Sequence, residues 1–156
     1  MSTVPVKRPA TYDDLFDLPE HVVGEIVNGE LVVSPRPAPK HANASSDLGG
    51  GLRVRFGRSG GDDGPGGWRI LDEPELHLGE HVLVPDIAGW HRERMPRLPD
   101  DAYFTLPPDW LCEVLSPSTA GLDRVRKMPI YLEHGINHIW LVHPGDRTLE
   151  VYRREE

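Results

Sequence analysis

A mixed α/β fold, a sheet with helices laid against it, is what this sequence predicts, and three observations predict it. Glycine and proline number 16 each in 156 residues, too many chain breakers for an all-helical bundle. Short β-rich runs such as Leu31-Val32-Val33 alternate with one clear helical periodicity, Ala44, Leu48, Leu52 and Phe56 at steps of four. The elements then fall in the order α, ββ, α, βββ, β, α, ββ, without internal repeat or linker. Residues 1–10 read as a flexible leader and 11–156 as a single domain. At 17.5 kDa the chain buries enough surface to fold without disulfides or a structural metal.

Each element has a local reason. Thr11 is a candidate N-cap for a helix over 12–18, with Asp13 and Asp14 in the first turn where the helix dipole favours acids. Pro19 ends it. Asn28-Gly29 between two short apolar runs is a hairpin signal, because both turn residues must take positive φ. Pro35, Pro37 and Pro39 break the chain before the helix over 40–56, whose Gly49-Gly50-Gly51 is its weak point. Residues 57–67 form a Gly/Asp loop. Strands follow at 68–71, 75–78 and 82–90, then a proline-punctuated loop over 91–107 and a buried strand at 109–115. Ser116-Pro117-Ser118-Thr119 is a turn. A helix runs from there to His134, with Gly135 as its C-cap and Pro129 placing one start near Met128. Strands at 138–143 and 148–153 close the chain as a hairpin around Pro144-Gly145-Asp146.

Several function classes fall away. No apolar run approaches the ~20 residues of a membrane span, and 1–10 lacks the apolar core of a signal peptide, so the expected address is the cytoplasm. Cys112 is the only cysteine, which excludes an internal disulfide and reads as a small buried hydrophobe. The net charge of −8 is unlike a general polyanion binder, although carboxylates gathered at a metal site give the same sign. Gly57-Arg58-Ser59-Gly60-Gly61 matches the G-x-S-x-G elbow by letter, but that elbow opens a helix and here a glycine loop follows. His134 and His138 have metal-like spacing, yet Gly135 ends the helix between them. No phosphate-binding glycine loop is present.

What remains is a set of polar residues inside apolar strands. Asp86 lies in Leu83-Val84-Pro85-Asp86-Ile87-Ala88, and Glu113 in Trp110-Leu111-Cys112-Glu113-Val114-Leu115. A buried carboxylate is costly unless it is paired, protonated or bound to a metal, and two on adjacent strands would converge on a hard cation. The alternative is that one or both face solvent or cap a turn. Glu25 sits in the first hairpin with the same two readings. Asp123, Lys127 and Tyr131, spaced by four, share a helix face. A lysine there would orient an attacking water or offset phosphate charge; the plainer reading is a solvated ion pair beside a packed tyrosine. His41, at the start of the second helix, is either a ligand contact or a surface imidazole.

These motifs occur in one order: Glu25-Ile26-Val27-Asn28-Gly29-Glu30-Leu31, Ser34-Pro35 through His41, Val84-Pro85-Asp86-Ile87, Glu113-Val114-Leu115-Ser116-Pro117-Ser118-Thr119, Asp123 to Lys127 to Tyr131, and Ile139-Trp140-Leu141-Val142 with Pro144. Over about 11–153 the chain resembles the Uma-type family of restriction endonucleases, within the PD-(D/E)XK nuclease superfamily. The resemblance implies a restriction-endonuclease-like core, a mixed central β-sheet flanked by helices.

By position, Asp86 matches the Asp of the "PD" element and Glu113 the acid of "(D/E)XK", which implies that both are metal ligands, for Mg²⁺ with Mn²⁺ as substitute. Glu25 matches an early acid near the metal. Lys127 stands for the motif's lysine, displaced from strand to helix, since the position two after Glu113 is Leu115. The implied catalytic set is therefore Asp86, Glu113, Lys127 and Glu25, with His41, Arg124, Arg126 and Tyr131 as substrate contacts. The implied reaction is hydrolysis of DNA phosphodiester bonds, by a protein acting as a homodimer. The competing expectation is an inactive nuclease fold serving as a binding or regulatory module, for which Leu115 and the negative charge speak.

Overall fold

Asn28-Gly29 makes the tight turn its residue types demand: in the computed structural model, which describes residues 8–57, 59–61 and 64–155, their φ angles are +52° and +76°. The turn joins β1 (Val22–Val27) to β2 (Glu30–Pro35). Ahead of it stands α1 (Tyr12–Phe16), shorter than the sequence suggests. The Thr11 N–H donates to Asp14 Oδ2 at 2.7 Å, and the Ala10 N–H donates to Gly29 O at 2.8 Å. Residues 1–7 of the expected leader, and Arg58, Asp62 and Asp63 of the glycine loop, lie outside the described residues.

The glycine-bearing helix α2 (Pro39–Phe56) forms because tertiary packing outweighs propensity. A Cβ on Gly49 would sit 2.7 Å from Asp72 Oδ1, so at this glycine the helix packs against the strand of Asp72 with no room for a side chain. Ala44, Leu48 and Leu52, the four-spaced residues of the sequence pattern, face the same way. After α2 the loop expected over 57–67 folds partly into a ribbon of β3 (Ser59–Gly61) and β4 (Gly64–Gly66). Then come β5 (Trp68–Asp72), β6 (Leu76–Leu78), β7 (His81–Leu83), β8 (Ile87–His91) and β9 (Trp110–Val114). A π-helical turn, Leu122–Lys127, runs into α3 (Met128–Glu133), and β10 (His138–His143) and β11 (Thr148–Arg153) end the fold.

The class is mixed α/β, with the strands in two main sheets. The central mixed sheet has the order β11-β10-β9-β8-β5, in which only β9 and β10 run parallel. The second, β2-β1-β7-β6, is antiparallel. One strand expected over 82–90 is in fact two. It breaks at Val84-Pro85-Asp86, and the chain crosses there from the second sheet into the central one. Proline has no N–H for a ladder, and the Val84 N–H is drawn off to Glu25 Oε1 at 2.7 Å.

Alternation along β9 divides the core. Trp110, Cys112 and Val114 face α2, with Ile70 and Ile87. Leu111 and Leu115 face the other way, against Ile130 and Tyr131 of α3. Glu113 therefore points into the apolar layer beneath α3. Among the described residues no helix is long and apolar enough to cross a membrane.

Cys112 is fully buried in the α2-facing layer, and burial, with Glu113 and Asp86 nearby, pushes its thiol well above the usual range. The thiolate is the reactive form. A thiol reagent such as dithionitrobenzoate should leave the native protein unlabelled and react fully in denaturant; rapid stoichiometric labelling without denaturant would contradict this packing.

Candidate active site

The π-helical turn has a cause in the sequence. Pro129 has no N–H to give to the Val125 carbonyl, and its ring clashes with the position that carbonyl takes in an α-helix. The preceding turn widens, so the Met128 N–H reaches back five residues to Asp123 O. The widened turn carries Asp123 and Lys127 inward; their side chains are 5% and 2% exposed.

Lys127 Nζ is the hub. It lies 2.7 Å from Glu25 Oε1, 2.8 Å from Glu113 Oε1 and 3.5 Å from Asp123 Oδ1. The Tyr131 hydroxyl donates to Glu113 Oε1 at 2.7 Å. Glu25 comes from β1 of the second sheet, Glu113 from β9 of the central sheet, and Asp123, Lys127 and Tyr131 from the helical segment covering both. Asp86 stands at the crossover. Ile87 pairs with Cys112 across the strands, so Asp86 extends that register to lie beside Glu113, on one face of the sheet. Its Oδ2 accepts the Val114 N–H at 2.7 Å, and its Oδ1 lies 3.3 Å from His41 Nε2.

Glu25, His41, Asp86, Glu113, Asp123 and Lys127 all line one cavity of about 290 Å³. The structure thus brings together Asp86, Glu113, Lys127, Glu25, His41 and, through Glu113, Tyr131. It does not bring Arg124 or Arg126 to the cavity. Arg124 pairs with Glu150, and Arg126 donates to Glu30 Oε2 at 3.1 Å and to Val27 O at 3.2 Å. Sequence reasoning omitted Asp123 from the site, although its four-residue spacing from Lys127 was a visible signal. It also omitted the Ser116, Ser118 and Thr119 hydroxyls, which line the cavity wall. Ser116 Oγ and Thr119 Oγ1 are 2.9 Å apart.

The electrostatics are unbalanced. Five carboxylates, from Glu25, Glu73, Asp86, Glu113 and Asp123, face the Lys127 ammonium, the Arg36 guanidinium and the His41 imidazole. Burial first, then the neighbouring acids, push Glu113 well above the carboxylate range, against the pull of Lys127. Burial likewise pushes Asp123 up to about 6. Burial works against the Lys127 ammonium, but Glu113, Tyr131, Glu25 and Asp123 together hold its pKa well above the usual lysine value. The Tyr131 phenol rises too, through burial and Glu113. Asp86 raises His41 by hydrogen bonding, against the effect of burial.

Excess buried negative charge in oxygen ligands suits a hard divalent cation, whose own charge would reverse these upward shifts. Asp86 and Glu113 could hold it side by side: Glu113 Oε2 makes no internal hydrogen bond, while Asp86 Oδ2 accepts the Val114 N–H and Oδ1 faces His41. Among the described residues no group of three or more His, Cys, Asp or Glu side chains forms a metal cage. Mg²⁺ is typically held by one or two carboxylates, water and substrate phosphate, and needs none.

A family model described as "Uma2: Putative restriction endonuclease" matches residues 10–156. The crystal structure of a putative nuclease belonging to DUF820 from Anabaena variabilis superposes with a TM-score of 0.78 at 28% identity, over 95% of this chain and 82% of that one. No curated protein matches.

Two outcomes follow from the charge cluster. Lys127→Met leaves three buried carboxylates, Glu25, Glu113 and Asp123, without their cation, and should lower stability at neutral pH by about 3–5 kcal/mol in urea titrations. The deficit should shrink as pH falls, because protonation removes the unpaired charge. Asp123, raised in the fold from 3.8 to about 6, binds its proton more readily when folded. It therefore contributes a decline in stability as pH rises through that interval, and Asp123→Asn should flatten that decline; an unaltered pH profile would place Asp123 in solvent.

Proposed function

We propose, from the premise that this chain belongs to the Uma2 family, that its cavity hydrolyses DNA phosphodiester bonds as a metal-dependent endonuclease. The observation that carries the reading is Lys127 Nζ, 2.8 Å from Glu113 Oε1 in the cavity that Asp86 also lines. That arrangement restores the acid–lysine pairing of the nuclease motif in space, although Leu115 occupies the lysine's place in the sequence.

Asp86 and Glu113 would hold the metal, Mg²⁺ or Mn²⁺, which when bound lowers the pKa of a coordinated water and stabilises charge on the phosphate. The remaining roles belong to the chain. Lys127 presents a fixed ammonium to a phosphate oxygen or to the attacking water. Tyr131 holds the Glu113 carboxylate in place from behind, and His41 does the same for Asp86. Glu25 anchors Lys127 while tying down the crossover through the Val84 N–H. Water adds to phosphorus with loss of a proton, the bond to the leaving sugar oxygen breaks, and that oxygen leaves as a hydroxyl after taking up a proton.

One observation favours the inactive-module alternative. The Lys127 ammonium already satisfies one oxygen of both Glu25 and Glu113, a stable arrangement that needs no metal. Supercoiled plasmid incubated with Mg²⁺, Mn²⁺ or EDTA separates the two readings. The endonuclease should nick in either metal and not in EDTA, and Glu113→Ala should lose at least ~100-fold in rate, since it removes a metal ligand. Nicking that survives in that variant would overturn the role given to Glu113, and none by the parent in either metal would support the module instead.

A further inference from the structure

The cationic side chains around the catalytic cavity differ in one respect. Arg124 and Arg126 are neutralised by Glu150 and Glu30. Arg36, on the cavity wall, and Lys40 and Arg147, just beyond it, form no ion pair or side-chain hydrogen bond among the described residues. Lys40 and His41 are consecutive in the first turn of α2. His41 lines the catalytic cavity, and Lys40 lines an adjoining cleft of about 510 Å³ between α2 and the β10–β11 turn.

The two spaces lie over neighbouring strands. Val114 lines the first and Val142 the second, and they are cross-strand partners in β9 and β10. Asn43, His143, Arg147 and Thr148 complete the polar lining of the cleft, with Asp47 as its one acid. Asp47 accepts the Asn43 side-chain amide at 3.3 Å, and His143 faces Asp146 at 3.6 Å. The first turn of α2 contains no acidic residue of its own; the carboxylate that faces it is Asp86, on the side of the catalytic cavity.

On a protein of net charge −8, unpaired cations beside a phosphodiester site indicate where a polyanion leaves it. We propose that this cleft is a track for a single nucleic-acid strand running out of the catalytic cavity, with Lys40 and Arg147 contacting its phosphates. The volume is that of a typical small-ligand pocket. It takes a nucleotide or two of one strand and is too small to enclose a duplex. The proposal rests on the nuclease reading and adds the strand's direction and its single-stranded form.

The test is fluorescence anisotropy of a labelled oligothymidylate bound to the whole chain across a salt series in EDTA. Each phosphate contact on a single strand contributes roughly 0.7 to the slope of log affinity against log salt. Lys40→Gln combined with Arg147→Gln should make that slope shallower by roughly 1.4 and weaken binding about tenfold at moderate salt. Arg154→Gln, beyond the far end of β11, should leave the slope unchanged. An unchanged slope in the double variant, an equal loss in Arg154→Gln, or no salt-dependent binding by the parent protein would each overturn the track.

Hydrolysis of bis(p-nitrophenyl) phosphate with Mg²⁺ reads the chemistry apart from the track, because that diester does not extend into the cleft. Its absence alongside charge-dependent oligothymidylate binding would sink the hydrolytic reading and leave the track standing. Hydrolysis without such binding would do the reverse. The double variant should hydrolyse the small diester as the parent does; an equal loss there would place the two residues in the catalytic cavity and overturn the track.

Discussion

One buried ammonium holds the architecture together. Lys127 Nζ contacts carboxylates from three parts of the chain: Glu25 of the second sheet, Glu113 of the central sheet and Asp123 of the helical turn above them. Taking such groups out of water is costly, and the cost is tolerable only when every charge finds a partner in good geometry. The cluster therefore acts as a constraint on how the two sheets and α3 meet. If they shift relative to one another, a charge is left bare. Tyr131 and the Val84 N–H fill positions around Glu113 and Glu25 that would otherwise need water.

That constraint also sets the electrostatics of the cavity. The hub neutralises only part of the acid gathered around it, so Glu113 and Asp123 are pushed upward, chiefly by burial. An environment that penalises carboxylate charge in the free protein is one that a cation relieves. The break in the strand at Pro85 completes the site. It turns Asp86 out of a ladder and sets it where its carboxylate accepts the Val114 N–H. The paired guanidiniums of Arg124 and Arg126, by contrast, belong to the outside of the fold, where they bind the β1–β2 hairpin and β11 to the helical turn.

Local chemistry makes several elements legible in the chain itself. Asn28-Gly29 makes its hairpin because its turn depends on two adjacent residues with positive φ, a property carried by residue type alone. The four-residue spacing of Ala44, Leu48 and Leu52 identifies α2 even through three consecutive glycines. The reason those glycines are tolerated is not local, since Gly49 matters through Asp72 on another element. The strand expected over 82–90 fails at Pro85 because a continuous apolar run looks the same whether it stays in one sheet or passes between two. The ribbon within 57–67 is invisible in the sequence because glycine-rich pairing has no side-chain pattern to read.

For the site, the residue types in the sequence determined that Asp86, Glu113 and Glu25 lay in apolar runs and that Lys127 was spaced to share a helix face with Asp123 and Tyr131. A carboxylate among apolar neighbours carries a large desolvation cost wherever it sits, so its need for a partner is legible from the chain. Which partner it finds is not. Tertiary structure alone decided that one lysine would reach three acids, that Pro129 would widen the turn that delivers it, and that Arg124 and Arg126 would be neutralised while Lys40 and Arg147 found no partner among the described residues. Pairing depends on distances of about 3 Å between atoms far apart in sequence, such as Glu25 and Lys127, and only the packing of sheets and helix fixes those distances.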